Sequence, residues 1–99
     1  MKRADVMRRL LQEISEAMEL EEDDILSNGK SESIVDARHL LIVLLFEYGF
    51  YPKSISQLIG CSKRNVNVVL ASFFERCKSR KMLRINYEII RKKVGISSL

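Results

Sequence analysis

The sequence is poor in cysteine, histidine and long apolar runs, and each shortage excludes a class of protein. Cys61 and Cys77 are the only cysteines and His39 the only histidine. Two cysteines do not make a disulfide scaffold, and their spacing fits no zinc pattern. A reducing, cytoplasmic setting is the expectation that follows. The longest apolar run, Leu40 to Phe46, is seven residues, far short of the roughly 20 that a membrane span needs. Charges scattered through MKRADVMRRLLQEISEAM leave no apolar stretch for a signal peptide. Gly29-Lys30-Ser31 looks like the tail of a phosphate loop, but the glycine required five positions earlier is Asp24, so the match is accidental. No nucleophile–base pair or metal cluster stands out either. The expectation is therefore a protein that is not an enzyme, with no cofactor, no metal and no small-molecule substrate.

What is present is helical and unevenly charged. The 99 residues are 46% hydrophobic and 30% charged, the balance of one soluble globular domain. A chain of this length buries roughly 65% of its unfolded surface, enough for one core. The net charge of +4 hides an asymmetry. Residues 1–49 hold 6 basic and 11 acidic side chains, net −5, whereas residues 50–99 hold 11 basic and 2 acidic, net +9. Such a division predicts an acidic face turned away from a polyanion and a basic face turned toward it. The plainer reading is a solvated surface with uneven charge.

No segment reads as a strand, and there are no repeats or low-complexity tracts. Residues 3–19 place Val6, Leu10, Ile14, Ala17 and Met18 on one apolar stripe, the spacing of an amphipathic helix. A short helix at 22–27 carries its acids in the first turn, where the helix dipole favours them. Ser27-Asn28-Gly29-Lys30 stops it. Asp36 is the expected N-cap of a helix over 37–48, whose LLIVLLF run makes it the central, buried one. Gly49 ends it, and Pro52 suits the first position of a helix over 52–59. Ser62 caps a helix over 63–79, and a last helix near 82–94 includes Asn86. The prediction is one all-α domain, 1–99, of about six helices.

Residues 52–70 carry the informative pattern. In QLIGCSKRNVNVVL, Gln57 to Leu70, Gly60 supplies a turn four residues after the small Ser56, as a helix-turn-helix needs. Ile55, Ile59, Cys61, Val66 and Val69 then fall at the positions that pack the two helices together, with Leu58 and Leu70 as further packing residues. Val66, Val69, Leu70, Phe73 and Cys77 continue one core stripe. Lys63, Arg64, Asn67 and Ala71 occupy the opposite face, with Asn65 near its edge and Ser62 at the cap. Apolar behind and short polar or basic in front is the division a recognition helix requires. Lys63 and Arg64 also oppose the dipole at a helix start, a conflict that a nearby phosphate would remove. An ordinary helical corner is the alternative. Asparagine pairs with adenine, so a preferred site should hold at least one adenine.

From about Val6 to Val94 the chain resembles the C-terminal DNA-binding domain of the bacterial replication initiator DnaA. The segments ISEAMELEEDDILS, DARHLLIVLLFEYG and IGCSKRNVNVVLASF occur in that family's order and near its spacing. The resemblance implies a DnaA C-terminal-domain, Trp-repressor-like helical fold that reads a short box in double-stranded DNA, in replication initiation or its regulation. It implies that the helix-turn-helix enters the major groove while a loop reaches the minor groove. Arg38 stands where the family keeps an arginine, and His39 takes the place of a polar neighbour; Arg38 and Lys30 would then touch phosphates. The family's minor-groove arginine corresponds to Asp36, and its basic loop to NGKSES. Its Asp-His-Thr-Thr contact run corresponds to Arg64, Asn65, Val66 and Asn67, after an apparent one-residue insertion. The family's ATPase module is not among these residues, so the expectation is for the DNA-binding part alone.

Several residues carry two readings. Arg76, Lys78, Arg80, Lys81 and Arg84 either hold phosphates or complement a helix C-terminus. Arg91-Lys92-Lys93 reads as a solvated helix end. His39 has no catalytic or metal-binding neighbour in sequence, and is either a phosphate contact or a helix-surface residue. Cys61 and Cys77 read as buried thiols, and Tyr48, Phe50 and Tyr51 as packing under the turn. The acidic run Glu19 to Asp24 reads as a solvated turn or as a surface offered to a protein partner by the acidic N-terminal half. A protein–protein module that kept the fold but lost DNA-box reading is the alternative function, and Asp36 and NGKSES favour it.

Overall fold

The computed structural model describes residues 3–96. Six helices follow one another in that span: α1 Arg3–Met18, α2 Glu22–Leu26, α3 Glu32–Tyr48, α4 Pro52–Ile59, α5 Lys63–Ser79 and α6 Lys81–Lys93. No strand occurs among the described residues. The all-α prediction is met, and most helix boundaries fall within a residue or two of those expected. The Cα radius of gyration, 12.2 Å, is that of one packed unit, for which about 13 Å is usual at 100 residues.

The core forms around α3, which touches all five other helices. Leu40 through Leu45 are buried without interruption, as a helix enclosed on every side must be. Against it α1 lays Val6, Leu10, Leu11 and Ile14, α4 lays Ile55 and Ile59, and α5 lays Val66, Val69 and Phe73. Ala17, expected on the α1 stripe, is exposed, and Leu11 is buried in its place. Phe50 closes the end of α3: Gly49 adopts φ 124°, and the Phe50 amide donates to the Leu45 carbonyl at 3.0 Å. Tyr48, partly exposed, meets the Phe50 ring edge-on at 6.5 Å between centroids, whereas Tyr51, 72% exposed, does not pack beneath the turn.

The start of α3 departs from the prediction. Its N-cap is Ser31, whose hydroxyl accepts from the Ile34 amide at 3.3 Å, and Asp36 lies one turn inside the helix, buried. The polar composition of KSES concealed this turn. Ile34 and Val35 are half-buried there, and a serine cap followed by a glutamate starts a helix as effectively as Asp36 would.

Candidate nucleic-acid interface

The turn between α4 and α5 sets the direction of α5. Gly60 takes the left-handed conformation, φ 81° and ψ 33°, which costs a residue with a Cβ more than glycine. Its amide and that of Cys61 both donate to the Ser56 carbonyl, at 2.9 and 3.1 Å, closing α4. Ser62 then opens α5, its hydroxyl accepting from the Asn65 amide at 3.0 Å. Only Gly60, Cys61 and Ser62 separate the two helices. Cys61 is half-buried rather than enclosed, and Leu58, expected in the packing, is 39% exposed.

Along α5 the two faces separate as the periodicity predicts. Val66, Val69, Phe73 and Cys77 are buried. Ser62, Lys63, Arg64, Asn65 and Asn67 are all exposed, and so are Val68 and Ala71. The first turn contains no acidic residue, so Lys63 and Arg64 meet an uncompensated positive dipole end. Val66, which the family register would place among the contact residues, is fully buried and cannot touch a groove. Val68, which was not among the residues expected on this face, is exposed one turn beyond Arg64, where helical periodicity places it.

Other basic residues behave differently from the prediction. Arg76 donates through Nε to Asp36 Oδ1 at 2.7 Å, and Arg80 through Nε to Asp36 Oδ2 at 2.5 Å. A second Arg80 nitrogen lies 3.1 Å from Glu32, and the hydrogen bond to Asp36 leads the effects that raise the guanidinium's pKa. Asp36 is therefore a buried counter-ion and presents no repulsive charge to a groove. Arg91 lies 3.1 Å from Glu47 and over the Tyr87 ring, so it is not part of a solvated helix end. Tyr87 also donates to Glu47, at 2.6 Å; burial first, then this bond, pushes its hydroxyl pKa upward. Lys93 reaches Glu13 at 3.4 Å. The acidic and basic halves thus pair with each other in part, and Asp36, Glu32, Glu47 and Glu13 take up much of the positive charge the sequence seemed to offer a polyanion. Lys78 and Arg84 form local pairs with Glu75 and Glu88.

Arg38 and His39 turn inward. The Arg38 guanidinium donates to the carbonyls of Ile25 and Gly29, at 3.2 and 3.1 Å, and also to that of Ser27. It closes the C-terminal end of α2 and fixes the loop, which commits its Nε and Nη2 donors to the protein's own backbone. Lys30 projects from that loop and is exposed. His39 is half-buried, and its Nδ1 is buried with no hydrogen-bond partner among the described residues. Burial, then Arg76 and Arg38, lower its pKa against the opposing pull of Asp36.

That shift has a measurable consequence. With the folded pKa below the unfolded value near 6.5, the unfolded chain binds the proton first. Stability is full above about pH 6.5 and falls as the pH drops toward the folded pKa. His39→Gln should flatten this loss between about pH 7 and 5, read as urea midpoints of both proteins across that range. Parallel profiles would remove His39 as the cause.

No group of three or more histidine, cysteine, aspartate or glutamate side chains is placed to hold a metal ion among the described residues. No described helix is long and apolar enough to cross a membrane. The chain matches no protein-family model and no curated protein.

Proposed function

We propose that this chain binds duplex DNA through α5, as a domain of the DnaA C-terminal, helix-turn-helix kind, with a cytoplasmic role in replication or its regulation. One observation carries the reading. Ser62, Lys63, Arg64, Asn65 and Asn67 are exposed together on the first two turns of a helix whose other side is sealed into the core. A helix docked end-first in the major groove needs short polar and basic side chains in those turns. Lys63 and Arg64 supply charge for phosphates or guanine edges, and Asn65 and Asn67 supply the paired donor and acceptor that adenine matches. Lys30, on the exposed loop before α3, adds a phosphate contact. Arg38 supports that loop.

The test is a titration of a labelled duplex containing a DnaA-type box, a scrambled duplex and single strands at two salt concentrations. Duplex should bind more tightly than single strands, with affinity falling steeply as salt rises. Lys63→Ala or Arg64→Ala should each flatten the log–log salt slope by about one unit where the residue meets a phosphate. No duplex binding even at low salt would sink the proposal; equal binding to both duplexes would leave a non-specific binder.

A second reading, a protein–protein module on the same scaffold, draws on a different surface. Met82 and Ile89 are exposed and Ile85 is half-exposed along one edge of α6, the three- and four-residue spacing of a helical contact stripe. Asp36 no longer favours this reading, because its charge is spent on Arg76 and Arg80.

A further inference from the structure

We infer that Val68 is a specificity-determining residue of the α5 surface, reading the 5-methyl group of thymine, so that the preferred major-groove site is a run of A·T pairs. The inference rests on the DNA-binding reading and adds to it a base class and a residue that charge and hydrogen bonding do not supply.

Val68 is 55% exposed on a helix that buries its other valines. Val66 and Val69 are essentially inaccessible, so the third valine is not a spill-over of the core. Residues four apart lie on one face of a helix, one turn or about 6 Å along its axis, which stacks Val68 directly after Arg64. Asn67 precedes it, and Ala71 is the next residue on the same face. No long side chain rises between them. Ala71 is a methyl, and the Ser72 hydroxyl folds back to donate to the Val68 carbonyl at 2.8 Å. A groove floor can therefore approach this turn closely. One turn further on, Glu75 is exposed and paired with Lys78, which puts a carboxylate at the level where close contact with DNA must end.

The chemistry of this patch is specific. A bidentate asparagine favours adenine over the other bases, and an apolar side chain in the major groove finds one apolar feature there, the thymine methyl. Asn67 and Val68 are adjacent in sequence and about 100° apart around the helix, so they address neighbouring positions in the groove. Together they select adenine and thymine from the same side.

The experiment uses the full chain and four short alternating duplexes: dA·dT, dA·dU, dI·dC and dG·dC. The first two differ only in the thymine methyl. The dI·dC duplex shares the minor-groove groups of dA·dT but not its major-groove groups. Wild-type protein should bind dA·dT roughly threefold or more tightly than dA·dU for each methyl contacted, and more tightly than dI·dC. Val68→Ala should bind dA·dT and dA·dU alike, with the salt slope of the wild type. As a surface change it leaves the fold intact, verified by its thermal midpoint. Equal wild-type affinity for dA·dT and dA·dU, or discrimination that survives Val68→Ala, would overturn the inference while leaving DNA binding standing. Equal affinity for dA·dT and dI·dC would also overturn it, by moving readout to the minor groove. Failure to bind all four duplexes at low salt would overturn both the inference and the reading beneath it.

Discussion

Asp36→Ala is expected to lower the free energy of unfolding by about 2–3 kcal/mol. The Asp36 side chain is only 5% exposed, and both of its oxygens are held by arginine Nε donors on or just beyond α5. Removing the carboxylate deletes two charge-assisted hydrogen bonds and leaves two cations beside a gap. A fully buried pair broken in this way loses about 3–5 kcal/mol. Here the two arginine side chains keep a little more than a quarter of their surface in water, at 28% and 29%, and hydration returns part of that loss. At about 1–3 kcal/mol per molar urea, the midpoint should fall by roughly 1 M or more. Asp36→Asn, which keeps the shape and one acceptor, should fall between the two. Urea unfolding followed by helical circular dichroism measures all three proteins. An unchanged midpoint for Asp36→Ala would mean that desolvation cancels the attraction and the triad adds nothing net.

Phe73→Ala should cost more, about 3–5 kcal/mol. Phe73 is among the largest fully buried side chains, and its ring meets Phe74 at 5.3 Å and Tyr87 at 5.5 Å between centroids. Alanine would open a cavity where α5 joins α6, and closing it would require helices fixed elsewhere to move. Since small domains hold about 5–15 kcal/mol in total, a fall in thermal midpoint on the order of 15–30 °C follows. Phe73→Leu, which refills much of the volume, should recover most of it. A midpoint within a few degrees of wild type for Phe73→Ala would show that this junction is not tightly packed. Any DNA affinity must be compared at a temperature where both proteins are folded, because the exposed side of α5 depends on the buried one.

The helices themselves were legible because their signals are local. Periodic apolar residues, Pro52 at a helix start, Gly49 and Gly60 at helix ends and Ser62 at a cap each act within a turn or two of chain. The same locality made the exposed side of α5 readable: once Val66, Val69, Phe73 and Cys77 form the buried stripe, Lys63, Arg64, Asn65 and Asn67 can only face out. Val68 escaped notice because a valine in a run of valines resembles core. The start of α3 was misplaced because two caps, Ser31 and Asp36, are locally plausible. Burial of Ile34 and Val35 against the rest of the fold decides between them.

The charges illustrate the remaining limit. Sequence fixes how many there are and in which half they lie, but pairing depends on which helices meet. Arg76 and Asp36 are forty residues apart, and no periodicity links them; they pair because α5 packs across α3. Arg38 faces three carbonyls for a similar reason, since α2 ends beside it. Sequence by itself therefore determined the helical composition, the buried stripe of α5, most of that of α1 and the residues offered by the first turns of α5. Tertiary structure alone decided which cations remain available to a partner, because an ion pair forms between groups that packing brings together, however far apart they stand in the chain.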